Sequence, residues 1–324
     1  MKKLVVSVLL ITYNQQDFIE QAIESVLMQK VNFPYEIIIG EDLGSDNTRV
    51  ICEEYARKVE SGESIVDSNK VSIKVLPREK NLGVAGNWCD CAQHAQGKYL
   101  MMLDGDDYWT DPNKMQMQVD FMEMHPECVI CHTGNDILYM NTGTVKHSDK
   151  HDVPEGMILQ DVMSGREQFT SSTMCLRAAT VKQYIPFEVY VNDDFPCEDW
   201  PTFALLSAYG EIRYLPQSTT VYRVGQASVT SEVNYDKIRR YWQRSKHMTE
   251  CLYKLLPQLG EFQDAEYFDT YMYNTMLNAA YENDDYKSAK EFAKLNPNQK
   301  RWATRCTKCW FTFKLYRLYH LTKK

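Results

Sequence analysis

Asp104, Asp106 and Asp107 fall within four positions of one another in the stretch Leu103-Asp104-Gly105-Asp106-Asp107-Tyr108-Trp109. Carboxylates this close repel, so either solvent or a cation must compensate them. The plainest reading is a solvated acidic turn, and a calcium loop is a second, but the downstream Glu and the Gly position of an EF-hand are missing. Mg²⁺ or Mn²⁺ fits the spacing better, because such ions use one or two carboxylates and complete their shell with water and substrate phosphates. A bound metal diphosphate would relieve the repulsion.

Two further acidic groups stand at comparable places. In Glu41-Asp42-Leu43-Gly44-Ser45-Asp46-Asn47-Thr48, Ser45 or Asp46 is placed to cap the helix that follows. Asp42 is not needed for that cap and could accept the imide N–H of a uracil or thymine ring, on which Tyr13 could stack. In Glu198-Asp199-Trp200-Pro201 the carboxylates suit the first turn of a helix, where the dipole favours them. A carboxylate at such a mouth, across a cleft from a metal, is also placed to act as a general base.

The elements that must position these groups can be read from periodicity. Val5 to Ile11 is an unbroken aliphatic run, the mark of a strand buried on both faces, and Ile19, Ala22, Ile23, Val26 and Leu27 form one helical stripe. A strand at 35–40, a helix ending near 59, a strand at 71–76, a helix at 83–95 and a strand at 98–103 continue the alternation. A parallel, doubly wound sheet is therefore expected, with ligands in the crevice at the carboxyl ends of its strands. Thr12-Tyr13-Asn14, Glu41-Asp42 and Asp104 to Asp107 all occupy such ends and should converge. Beyond them we expect a helix from Pro112 to Met124 with proline in its first turn, strands at 127–132 and 137–139, and a mobile loop at 141–156. A helix at 200–209, strands at 212–215 and 219–224, and helices from 233 to the end complete the expectation.

Composition narrows the function classes. The 324 residues are 44% hydrophobic and 25% charged, the balance of an ordinary globular protein. No run reaches the roughly eighteen apolar residues of a membrane span, and the stretch from Met1 to Ile11 is too short for a signal peptide, so a cytoplasmic location is expected. Among ten cysteines only Cys128/Cys131 and Cys306/Cys309 have the spacing of zinc ligands, on a strand and a helix far apart in the chain, and zinc is not expected. From residue 292 onward there are nine Lys or Arg and no Asp or Glu, which leaves residues 1 to 291 with 27 basic against 44 acidic side chains. So acidic a body excludes nucleic acid as a partner.

Taken in order, Val8 to Asn14, Ile38 to Thr48, Asn81 to Asn87, Leu103 to Trp109, Thr170-Ser171-Ser172, Glu198 to Pro201 and Val221-Tyr222-Arg223 resemble the inverting family 2 glycosyltransferases of the GT-A fold, especially bacterial enzymes of capsule, lipopolysaccharide and exopolysaccharide assembly. The resemblance implies an α/β, Rossmann-like, mostly parallel sheet flanked by helices over residues 1–230, followed by a helical C-terminal region at 231–324. It implies a nucleotide diphosphate sugar donor, most simply a UDP-sugar, and a glycan or lipid-linked acceptor. Tyr13 and Asp42 would hold the base, with Arg78 or Asn81 nearby and Thr12, Asn14 and Gly105 lining the donor site. Asp104 would meet the ribose or a metal-bound phosphate, Asp106 would be the main Mn²⁺ or Mg²⁺ ligand, and Asp199 the catalytic base. Trp109, Ser171, Ser172, Glu198 and Arg223 would be acceptor or phosphate contacts. Trp109 also suits the core, the serines a strand wall, and Arg223 a salt bridge.

Three positions depart from the family pattern. Glu41 stands where an aspartate is usual, Gly44 where a serine is, and Val224-Gly225-Gln226 follows Arg223 where many relatives have a histidine. Two rival functions remain. A sugar nucleotidyltransferase should carry a Gly-rich basic phosphate loop after its first strand, and Thr12-Tyr13-Asn14-Gln15-Gln16 is not one; a non-catalytic binding protein should have lost Asp106 or Asp199. Residues 300–324 combine eight Lys or Arg with Trp302, Trp310, Phe311, Phe313, Tyr316 and Tyr319. They read either as a terminal helix packed on the domain or as an interfacial helix on an anionic membrane, and the absence of acids favours the second.

Overall fold

A computed structural model describes residues 4–63, 70–148, 150–166, 169–225, 234–263 and 265–322. The chain forms two compact units, Met1–Val224 and Gly225–Lys324. The division expected at 230/231 lies outside the described residues.

In the first unit the elements run β1 (Val6–Thr12), α1 (Ile19–Leu27), β2 (Tyr35–Glu41), α2 (Thr48–Glu60), β3 (Val71–Val75), α3 (Gly83–His94), β4 (Tyr99–Asp104), β5 (Tyr108–Trp109), α4 (Lys114–Met124), β6 (Cys128–Tyr139), β7 (Thr144–Lys146), α5 (Leu159–Met163), β8 (Cys175–Arg177), α6 (Ala178–Tyr184), α7 (Phe187–Asn192), α8 (Asp199–Ser207) and β9 (Glu211–Val224). One sheet takes the order β3-β2-β1-β4-β8-β6-β9-β5, with β7 paired to β6. The first four strands are mutually parallel, as the strand–helix alternation requires. Beyond β4 the sheet is mixed: β8 runs antiparallel to β4 and β6, β9 parallel to β6, and β5 antiparallel to β9. Every residue of β1 and β2 is buried, because helices cover both faces of the central sheet.

Four expectations shift. The helix α4 begins at Lys114, because Asp111 takes the N–H groups of Asn113 and Lys114 in a turn that leaves Pro112 outside. The strands read separately at 127–132 and 137–139 are one, since the polar residues between them are satisfied inside the sheet. Thr133 pairs its hydroxyl with that of Thr219 at 2.7 Å, and Asn135 Oδ1 accepts from Thr170 and Lys150. β9 is likewise continuous, its register slipping against β6 between Leu215 and Ser218 so that Pro216 falls at an irregularity. The 141–156 segment carries β7, which folds back on β6 through a turn where Gly143 has φ 69°.

The second unit is helical: α9 (Tyr235–Leu255), α10 (Ala265–Glu282), α11 (Tyr286–Leu295), α12 (Trp302–Cys306) and α13 (Trp310–Leu321). Asn234 caps α9 by accepting from Asp236 N and Lys237 N, and Asp285 caps α11 by accepting from Ser288 N. Its core gathers Ile238, Met276, Leu277, Tyr281, Phe292 and Phe313. No described helix is long and apolar enough to cross a membrane.

Candidate active site

The register of β1 brings the acidic groups to one edge. Thr12 lies opposite Glu41 and Ile11 opposite Asp104, so the turns after β1, β2 and β4 leave the sheet side by side at its carboxyl end. The turn after β1 is held tightly. Thr12 Oγ1 donates to Gln15 Oε1 at 2.7 Å, and Asn14, with φ 53°, accepts from Ser45 N on Oδ1 at 2.7 Å. Asn14 therefore joins two turns, and Tyr13 between them is half exposed and available to a base. A β-carbon on Gly105 would sit 2.6 Å from Thr12 Oγ1, and one on Gly44 2.7 Å from Asn14 Oδ1. These approaches explain both glycines. Glu41 is wholly buried and accepts from Gly44 N at 2.6 Å, so its extra methylene reaches across the turn that Gly44 leaves open. Asp46 caps α2, accepting from Thr48 N at 2.9 Å.

Asp42 does cap a helix, though not the one that follows it. Its two carboxylate oxygens accept from Leu82 N at 2.8 Å and Gly83 N at 2.9 Å, at the start of α3. Asn81 Nδ2 donates to the Asp42 carbonyl at 2.7 Å. Burial raises the Asp42 carboxyl above the usual range, against the pull of those amides and of Arg78. Arg78 is buried behind this turn, its Nε 3.8 Å from Asp42 Oδ1 and its amino groups donating to Asp90 and Asn87. Arg78 therefore stands next to Asp42, as the sequence led one to expect, and orients it from behind the turn.

Around the central cluster the serines do more than line a wall. Ser171–Thr173 is a single 3-10 turn, and Ser171 donates to Asp104 Oδ2. Ser172 Oγ lies 3.0 Å from Asp107 Oδ2 and 3.3 Å from Asp104 Oδ2. Asp107 is fully buried and also accepts from Arg223 N at 3.0 Å, which ties the acidic turn to β9. Trp109 is 1% exposed and donates from Nε1 to Ser172 O at 2.9 Å, so it is core and not an acceptor contact. Arg223 is held by hydrogen bonds and ring contacts, with no carboxylate ion pair among the described residues. Its amino groups donate to the Asp106 carbonyl and to Gln21 Oε1, with the guanidinium 4.6 Å from the Tyr108 ring and 5.1 Å from that of Phe18. It braces the backbone of the turn from which the Asp106 side chain projects.

Asp199 opens α8 and accepts from Trp200 N at 2.7 Å. Burial and the charges of Asp106 and Asp199 push Asp104 up to about 7, and burial raises Asp199. Asp107 rises well above the carboxylate range through burial and its two aspartate neighbours. Glu198, 3% exposed, also rises well above its usual range, chiefly by burial and then through the charges of Asp199 and Asp104, so it stands behind the same cluster. Tyr222 belongs to the Val221-Tyr222-Arg223 landmark of the sequence, which gave it no role of its own. Burial and then the charges of Asp107, Asp104, Asp106 and Asp199 lift its phenol to about 12, so it lies within the field of the acidic cluster. The alternation of β9 carried the signal, since Arg223 points inward and its neighbour must point out.

Asp104 ends β4 and Asp106 lies two residues on, and their carboxylate oxygens are the donor type that a hard divalent ion takes. These residues fit Mn²⁺ or Mg²⁺.

Comparison with known proteins agrees with this geometry. The chain is 32% identical over 161 residues to the putative teichuronic acid biosynthesis glycosyltransferase TuaG of Bacillus subtilis, covering 50% of this chain and 58% of that one. It spans 64% of the length of the mycobacterial proteins that it matches over 242 residues at 29% identity. Among solved structures, TarS 1-349 of S. aureus in complex with UDP-GlcNAc aligns with a TM-score of 0.50 at 18% identity, over 99% of this chain and 91% of that one. The mannosyltransferase PcManGT from Pyrobaculum calidifontis, in complex with GDP-Man and Mn²⁺, aligns with a TM-score of 0.53 at 13% identity, over 98% and 86%. Both share the GT-A fold with this chain. The profile described as glycosyl transferase family 2 matches residues 7–185, and the chain belongs to that family.

Proposed function

We propose that this protein transfers a sugar from a nucleotide diphosphate sugar, a UDP-sugar by preference, to a hydroxyl of a glycan or lipid-linked acceptor in surface polysaccharide synthesis, with inversion and with a divalent cation. The observation that carries the reading is the electrostatic meeting of Asp199, at the mouth of α8, with Asp104 at the end of β4. In this reading the first serves as the base and the second meets the metal diphosphate.

In this reading Tyr13 stacks on the base and Asp42, fixed by the α3 amides and Arg78, accepts its imide N–H. Asp106 and Asp104 hold the Mn²⁺ or Mg²⁺, whose charge, when it is bound, favours departure of the diphosphate. Asp199 accepts the proton of the acceptor hydroxyl as that oxygen bonds to the anomeric carbon, and the carbon–oxygen bond to the diphosphate breaks with its electron pair on the leaving group. A carboxyl raised above its ordinary range is a more competent base near neutral pH than an exposed aspartate. Attack opposite the leaving group inverts the anomeric centre. We assign the reaction to the cytoplasm.

TuaG is named for a cell-wall glycan pathway, and the TarS and PcManGT structures hold nucleotide sugars, the latter with Mn²⁺. A thermal-shift panel of nucleotide sugars with Mn²⁺ tests the proposal. A shift by one UDP-sugar that vanishes with chelator is expected; no shift by any nucleotide sugar would overturn it.

A further inference from the structure

The C-terminal unit carries an apolar surface that its own core does not use. On α13 only Phe313 is fully buried, its ring 4.7 Å from that of Tyr281, and Tyr316 lies on the same side at the same distance. The opposite side presents Phe311, Leu315 and Leu318, exposed by 65%, 53% and 60%. They fall at i, i+4 and i+7, one continuous ridge along a helix of 12 residues. Trp310 and Tyr319 flank it, and Trp302 on α12 is also exposed. A globular helix turns its apolar stripe inward and its polar residues out. Here the outward side is apolar as well. Singly exposed apolar residues need no explanation, but a contiguous patch of them marks an interaction surface.

The charge around the ridge selects the partner. Residues 292–324 contain nine Lys or Arg and no acid in a chain whose other 291 residues are strongly acidic. Lys314 and Arg317, whose stems belong to α13, turn to Asp284. Arg305 and Lys308, on the approach to α13, remain exposed. Apolar and aromatic side chains together with exposed cations on the approach to the helix match the boundary between headgroups and acyl chains of an anionic bilayer, where aromatic rings settle and lipid phosphates pair with Lys and Arg.

We propose that α12 and α13 form a docking surface for an anionic membrane, which lays Phe311, Leu315 and Leu318 into the headgroup–acyl boundary and sets Arg305 and Lys308 against lipid phosphates. The helix lies on the bilayer and does not cross it, being far shorter than the roughly 20 residues a span needs. The inference uses the C-terminal unit alone and stands whether or not the reading of the catalytic cleft does.

Flotation of the full chain with vesicles tests it, using phosphatidylcholine alone and phosphatidylcholine with about 30% phosphatidylglycerol. The wild type should float with the anionic vesicles and separate from them in high salt. Leu315→Asp with Leu318→Asp should weaken binding by about a hundredfold, since two exposed leucines lose their transfer into the boundary. Arg305→Glu with Lys308→Glu should weaken it by at least about twentyfold. All four side chains are exposed, so unfolding midpoints close to wild type will separate lost binding from lost folding. Failure of the wild type to float, or flotation of both double variants like the wild type, overturns the proposal. So does a dimer that Leu315→Asp with Leu318→Asp converts to monomer while the wild type ignores vesicles, because the ridge would then join two copies of this chain.

Discussion

Ser172 Oγ and Asp107 Oδ2 lie 3.0 Å apart beneath the acidic turn, and the same oxygen is 3.3 Å from Asp104 Oδ2 and accepts from Asp104 N at 3.2 Å. A hydroxyl has one proton to donate. Ser171 also donates to Asp104 Oδ2 and Arg223 N to Asp107 Oδ1, so each carboxylate keeps a donor of its own, and these hydrogen bonds oppose the upward shift that burial and the neighbouring aspartate charges impose on both. The turn therefore divides its labour: Asp107 is bound to Ser172 and Arg223 N, while Asp106 projects from a backbone held by Arg223.

The first prediction follows from that division. Asp107→Leu leaves the buried Arg223 N–H without its acceptor, while Ser172 keeps Asp104, and should destabilise the fold by about 1–3 kcal/mol. Asp107→Asn keeps an acceptor oxygen and should lie close to wild type. Urea unfolding of the two variants checks the difference, and equal losses would contradict a hydrogen-bonding role.

Asp199→Asn should lower the rate of transfer by about 10²–10⁴, the range for loss of a general acid–base group. Its amide oxygen can still accept from Trp200 N, so α8 keeps its first turn and UDP affinity should hold. Calorimetric titration of UDP beside an initial-rate assay separates the two effects. An active Asn variant would remove Asp199 from the chemistry.

Asp106→Ala should weaken UDP binding in the presence of Mn²⁺ while leaving binding in EDTA unchanged, because only the metal-dependent part of the affinity runs through this carboxylate. The fold should be little affected, since Arg223 braces the Asp106 carbonyl, which alanine retains. Identical Mn²⁺-dependent titrations for variant and wild type would count against the metal site.

Much of this site was legible in the sequence because it hangs from strands whose aliphatic runs fix their own ends. Val6–Thr12 and Tyr35–Glu41 are buried throughout, and a run of that kind has one place to stop, so Asp42 and Asp104 could be placed at one edge without coordinates. What stayed hidden were partnerships across long stretches of chain. Nothing local in Glu41-Asp42 reveals that the aspartate caps a helix about 40 positions later, or that Arg78 lies behind it. Arg223 and Trp109 carried the residue types of ligand contacts, but their partners, Gln21 and Ser172 O, are fixed by tertiary packing. Strand continuity was misjudged at Gly134 and Pro216 because residues that break an isolated strand are tolerated where a neighbouring strand absorbs the irregularity.

A final prediction concerns Lys114, which is fully buried beneath the 3-10 turn that carries Ser171 and Ser172. Its amine donates to Gln118 Oε1 at 2.9 Å and Thr173 O at 3.1 Å, and lies 5.2 Å from the centre of the Trp109 ring. Burial lowers the amine to about 7, whereas lysine in an unfolded chain titrates near 10.4. Between those values the unfolded chain binds a proton here that the folded protein does not, so stability rises with pH. The contribution is complete above the unfolded value and is lost as the pH falls, levelling off below about 7. Lys150, lowered by burial to about 8, acts in the same direction over a narrower window. Lys114→Met should therefore make the slope of the unfolding midpoint against pH less positive than in the wild type between pH 7 and 10, whatever fall the buried thiols, raised by burial, add to both proteins above about 8.5. Thermal unfolding of both proteins across that range at constant ionic strength measures the slope, and parallel curves would mean that Lys114 keeps its proton in the folded state.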